Sequence, residues 1–153
     1  MTSLDLPQLV ALAAVLGFAS GIRLYAVLLA VGLAGYLDWV ALPPGLQVLA
    51  NPWVIGVAAA VAAVELLADK IPAVDTLWDA VHTFIRIPAG AALAAATIGA
   101  DSATWNVIAA LAGGSLAATS HFAKAGARAA VNTSPEPLSN LAVSSAEDVF
   151  SLA

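Results

Sequence analysis

The chain contains no cysteine, which removes disulfides and any Cys-ligated metal or redox centre at once. It is also short of charge: 10% of its 153 residues are Asp, Glu, Lys or Arg, against about 25% in a typical soluble domain. With 61% hydrophobic residues and a mean hydropathy of +0.94, too few water-facing groups remain to cover a surface, so the expected solvent is lipid. Bases are the scarcer sign, five against ten acids for a net charge of −5, which argues against nucleic acid as a partner. The N-terminal MTSLDLPQ has no basic region, so residues 1–22 do not read as a cleaved signal peptide. Nucleophile elbow, P-loop, H-E-x-x-H and dinucleotide fingerprint are all missing.

What is present is a series of apolar runs, and a spanning helix needs about 20 such residues. The pattern predicts one all-α, polytopic membrane domain over 1–153 with about five membrane-embedded segments. The block 6–37 is too long for one span and is interrupted by FASGIRLY. Either two short helices turn at Arg23, or a re-entrant hairpin has Arg23 near its tip, which requires protein or a water-filled cavity around it. After a Pro43-Pro44-Gly45 connection, 52–69 is a span and 73–84 a short amphipathic segment. A second span covers 86–100 and a third, with a basic extension, 105–131; 132–153 is a loop and the start of an unfinished helix.

Lys70, Arg86, Lys124 and Arg128 fall on one side of the predicted membrane, and no Lys or Arg falls on the other. By the positive-inside rule the basic side is cytoplasmic and the N-terminus lies outside. Small-residue faces such as Gly17-x-x-x-Gly21 suit close helix packing, and the expected partners are the lipid bilayer and further copies of the chain as a homo-oligomer.

The ionisable residues are concentrated in ELLADKIPAVDTLWDAVHTFIRIP, residues 65–88. Asp75, Asp79 and His82, at i, i+4 and i+7, share one helical stripe and could hold a divalent cation, the one candidate cofactor. Glu65 lies inside an apolar run, where an ionisable group is costly and faces a cavity or a partner; Arg23, Arg86 and Lys124 are its candidate partners. Arg23, beside Ser20 and Gly21, could meet an anionic group. Ser120, His121, Lys124 and Arg128 recur on a helical register as a phosphate or carboxylate grip, with Asn132, Thr133 and Ser134 as further donors. Arg23, Glu65, Asp69, Lys70, Arg86, His121, Lys124 and Arg128 are therefore the candidate substrate-binding residues. They point to a small transporter or channel-like carrier for an anionic solute or lipid phosphate, coupled to protons or cations through a cytoplasm-facing polar cavity. A metal-dependent membrane enzyme acting on lipid phosphates through Asp75, Asp79 and His82, or a scaffold without a substrate, are the alternatives.

GFASGIRLY (17–25), ELLADKIPAVDTLWDAVHTFIRIPAGA (65–91) and SHFAKAGARAAVNTSPEPLSNLAVSSAED (120–148) together resemble an uncharacterised family of small bacterial integral membrane proteins, a domain of unknown function. The resemblance implies a bacterial cytoplasmic (inner) membrane location and no particular reaction. Members of that family continue past the Glu-Asp pair into one more hydrophobic helix, so the resemblance also implies a chain shortened before it. A thin internal repeat sets Pro72 over Pro137 and Asp75 over Asn140.

Overall fold

The structure, a computed structural model, describes residues 4–99, 102–132 and 145–146. The described residues are all-α: α1 (Leu6–Tyr36), a 3₁₀ segment (Pro44–Ala50), α2 (Pro52–Ala68), α3 (Pro72–Ile98) and α4 (Ala103–Asn132). Local chemistry sets the boundaries. At the start of α1, Asp5 and Gln8 form a reciprocal capping box, Asp5 accepting from the Gln8 N–H at 2.9 Å and Gln8 from the Asp5 N–H at 3.0 Å. Asn51 caps α2 by accepting from the Trp53 N–H at 2.9 Å, with Pro52 at the first helical position. Gly99 ends α3 in the left-handed region, φ +55°, where a Cβ would be strained.

Helical geometry in α1 fails at one residue, Arg23 (φ −145°, ψ 81°), so the interruption foreseen over 18–25 is confined to a single position. The contacts on either side of it place the arms. Leu6 and Val10 share a groove with Ile98 and Trp105. Beyond the bend, Gly32 packs on Leu49 and Ile55, while Gly45 of the 3₁₀ segment packs on Ala96. The outer ends of the two arms therefore both lie toward the C-terminal end of α3, with Arg23 at the vertex. The interruption at Arg23 is a kink in the backbone with no loop.

One expectation is corrected and another is not confirmed. Residues 73–84 and 86–100 are not separate: α3 is continuous for 27 residues with Pro88 inside it. A proline removes one backbone donor and crowds the preceding turn, and here that turn carries exposed Phe84, where the carbonyl can turn outward. The count of about five membrane segments is not confirmed by length and composition. Among the described residues two helices, Leu6–Tyr36 and Ala73–Ile98, are long and apolar enough to cross a membrane; Pro44–Ala50 and Pro52–Ala68, bent by 70°, make a third if taken together. Alone, α2 has 17 residues, about 26 Å against a hydrocarbon thickness of about 30 Å.

The helices touch through small residues. Gly17 of α1 meets the backbone of Gly113 in α4, and Gly113 in turn meets Gly90 of α3, so a Cβ at Gly17 or Gly113 would collide with backbone. An apolar cluster of Leu16, Leu24, Leu46, Leu49 and Leu93 fills the space between the arms of α1, the 3₁₀ segment and α3.

Candidate functional site

At the end of the bundle marked by Arg23 the interior is ionic. Arg23, Arg86, Lys124 and Arg128 are buried together with Glu65, Asp69, Asp75 and Asp79, four bases with four acids, and with His82 and His121. Each helix contributes. The bend in α1 delivers Arg23; the last turn of α2 carries Glu65, with Asp69 as its C-cap; α3 presents Asp75, Asp79, His82 and Arg86 along one stripe; α4 presents His121, Lys124 and Arg128. The stripes read from sequence spacing are thus the buried faces of α3 and α4.

The charges pair across helices as a chain. Glu65 is bonded to Arg86, whose Nη1 donates to Asp79 Oδ1 at 2.7 Å. Lys124 Nζ lies between Asp79 Oδ1 at 3.7 Å and Asp69 Oδ1 at 3.4 Å. Asp69 also receives Arg23 Nη2 at 2.8 Å, while Arg128 approaches Asp69 Oδ2 at 3.7 Å and donates from Nη1 to the Asp69 backbone carbonyl at 2.9 Å. Alternating signs therefore run Glu65–Arg86–Asp79–Lys124–Asp69–Arg23, with Arg128 as a branch. A buried ion leaves water at a cost of several kcal/mol unless it is paired and hydrogen-bonded, which explains why almost every charge here faces one of opposite sign. Among the described residues, Glu65 Oε2 and Arg86 Nε have no hydrogen-bond partner.

His121 links this chain to the space between α3 and α4. Arg86 Nη1 lies 3.3 Å from His121 Nδ1. His121 Nε2 lies 2.6 Å from Thr83 Oγ1, and the Thr83 hydroxyl donates to the Asp79 carbonyl at 2.9 Å. A cavity of about 190 Å³ opens between the two helices, with buried Asp75, Asp79, His121 and Arg128 as its floor and Phe122 on its outer rim. It is the place where the ionic interior meets the outside of the bundle.

The predicted residues are distributed as follows. Arg23, Glu65, Asp69, Arg86, His121, Lys124 and Arg128 converge. Lys70 does not: it is exposed just past α2, where the chain turns toward Pro72. Arg23 and Glu65 both face the interior, but their partners are Asp69 and Arg86 rather than each other. Asp75, Asp79 and His82 lie on one stripe without forming a metal centre, and no group of three or more His, Cys, Asp or Glu that could hold an ion occurs among the described residues. Asp79 is engaged by Arg86 and Lys124, while His82 donates from Nδ1 to the Trp78 carbonyl at 2.8 Å, stacks on the Trp78 ring at 4.0 Å and meets Tyr25 edge-on. Thr133, Ser134, Pro137 and Asn140 lie outside the described residues, whereas Asn132 ends α4.

Sequence reasoning missed Thr83 and Tyr25. Thr83 is one turn beyond Asp79, so the stripe that selected the acids also contains it. Tyr25 had no such signal, because only the bend at Arg23 brings it to His82.

No curated protein and no solved structure matches the chain. The model of one family, described as a domain of unknown function (DUF4126), matches residues 10–153, nearly the whole chain, and the protein therefore belongs to that family.

Proposed function

We propose that this protein is a small membrane carrier for an anion-bearing solute, coupled to protons, whose working part is the buried ion-pair chain. The observation that carries the reading is the run of alternating charges, drawn from all four α-helices, with Asp79 and Arg128 of that run lining a cavity. Each link can be broken and remade: protonating Glu65 or Asp79, or supplying another charge to Lys124 or Arg128, releases a partner on a different helix. Binding and helix movement are thereby coupled through the same charges.

Depth supports the reading. Trp53 and Trp105, both strongly exposed, stand at the opposite end, as residues of an interfacial aromatic belt do. At 1.5 Å per residue, Glu65 is about 18 Å along α2 from Trp53, and Lys124 about 28 Å along α4 from Trp105. In a hydrocarbon layer about 30 Å thick, the chain of charges then leads from one interface toward the middle and stops beneath the leucine cluster. A polar path open at one side and closed by an apolar plug is one half of an alternating-access cycle. In this reading the bend at Arg23 is the tip of a re-entrant hairpin, and the charged end faces the cytoplasm because the bases gather there.

The test is proton movement in proteoliposomes carrying a pH gradient and a panel of anionic solutes. Glu65→Gln keeps the shape and the hydrogen bond to Arg86, so it is expected to insert and fold while losing at least tenfold in flux. Flux equal to that of the original chain would overturn the role given to this carboxylate.

A further inference from the structure

The walls of the α3–α4 cavity are opposite in character. Asp75, Asp79 and the hydroxyl-bearing Thr76 and Thr83 come from α3, and His121 and Arg128 from α4. The cavity holds about 190 Å³, room for about six water molecules at ~30 Å³ each. We infer that it is a binding site for a zwitterion, an ammonium group carried on the same small molecule as a phosphodiester, with the ammonium against Asp75 and Asp79 and the phosphate against Arg128.

Three observations lead there. The first is charge balance. Among the described residues the buried cluster holds four bases and four acids, and a ligand of net charge would bring a further ion in need of a partner into a poorly solvated place. A zwitterion exchanges one partner of each sign and keeps the balance. The second is the separation of the signs onto two helices, which fixes the ligand's direction: a primary ammonium donates to carboxylates, and a guanidinium matches phosphate oxygens with paired N–H groups. The third is the rim. Exposed Phe122 lines the mouth. A phosphate ester bearing acyl chains could keep those chains outside while its head group enters. The ammonium–phosphodiester chemistry is common to a phospholipid head group and to a free glycerophosphodiester bearing an amine.

This inference rests on the carrier reading for the cavity's role as an entrance, yet binding is measurable without transport. The probes are glycerophosphoethanolamine, ethanolamine and inorganic phosphate, each titrated into the purified full chain in detergent with calorimetric and thermal-shift readouts. A second arm places the chain in nanodiscs of mixed phosphatidylethanolamine and phosphatidylglycerol and reads the retained lipid by native mass spectrometry. The expected result is at least tenfold tighter binding of the zwitterion, free or lipid-borne, than of either half alone. Asp75→Asn and Arg128→Gln should each weaken it about tenfold. Ala80→Leu fills the mouth from an exposed position without touching a charge, and should abolish binding in a chain that still folds. Retention of phosphatidylethanolamine without binding of the free compound supports the site and names lipid as the source; binding of the free compound supports it with a soluble ligand. Phosphate binding as tightly as the zwitterion, equal retention of both lipids, or binding unchanged by Ala80→Leu would overturn it. Loss of zwitterion binding in a chain that still moves protons overturns this site alone, whereas zwitterion binding without proton movement overturns the carrier reading and leaves the site standing.

Discussion

At one end of α3, Asp75, Asp79, His82 and Arg86 are buried, with charges of α2 and α4 against them; at the other, Leu93 and Ala96 meet Leu46 and Leu49 of the 3₁₀ segment. Beside that apolar end runs a groove of about 730 Å³ lined by residues such as Leu6, Val10, Ile98 and Trp105. The two ends are held by different physics. Lipid tails are as apolar as leucine, so in a bilayer the apolar end gains little from the hydrophobic effect and depends on fit, especially the backbone approach at Gly17, Gly90 and Gly113. The charged end depends on matching: each ion is costly alone, and each pair joins two helices. The first arrangement tolerates sliding, whereas the second permits a small number of discrete pairings. Discrete pairings are what the proposed carrier would exchange.

The largest effect should come from breaking the charged end at its hub. Asp69→Ala leaves Arg23, Lys124 and Arg128 without the carboxylate they share, so a loss on the order of 3–5 kcal/mol is expected from chemical unfolding in detergent. A loss below about 1 kcal/mol would mean that water reaches these cations and the ionic interior is wetter than its burial indicates. The apolar end should respond more weakly. Leu46, 1% exposed, is the best-packed member of its cluster, and Leu46→Ala should cost about 2–3 kcal/mol, near the bottom of the usual range because the unfolded reference also sits in an apolar medium. If Leu46→Ala proved worse than Asp69→Ala in the same assay, the contrast between the ends would be reversed. Trp53, 84% exposed, should matter least. Trp53→Ala is expected to change unfolding stability by no more than about 0.5 kcal/mol in detergent, and a larger loss would reveal a packing partner for the ring.

Much of this was readable without coordinates. Apolar runs give the helices, since lipid forces backbone groups to bond within the segment, and Pro52, Pro72 and Gly99 mark ends because their backbone restrictions are local. The stripe Asp75–Asp79–His82 and the series His121–Lys124–Arg128 follow from the helical repeat, which places side chains three and four apart on one face. Continuity of α3 through Pro88 was not readable, because whether a proline ends a helix depends on what surrounds the preceding turn. Nor was the bend at Arg23 resolvable to one residue. Its position became definite only when Arg23 met Asp69 and when Gly32 packed on Leu49 and Ile55.

By itself, then, the sequence determined an all-α chain with membrane-compatible helices and a set of ionisable groups gathered at one end, for these depend on composition and on periodicities within single segments. Only the tertiary structure decided that Glu65 belongs to Arg86 and Arg23 to Asp69, that Lys70 stands outside the cluster, and that the acids of α3 face the bases of α4 across a cavity. The physical reason is range. A helical repeat fixes neighbours within about one turn along a segment, whereas an ion pair between helices depends on how whole helices cross, and that is settled by the small-residue contacts and the bend acting together.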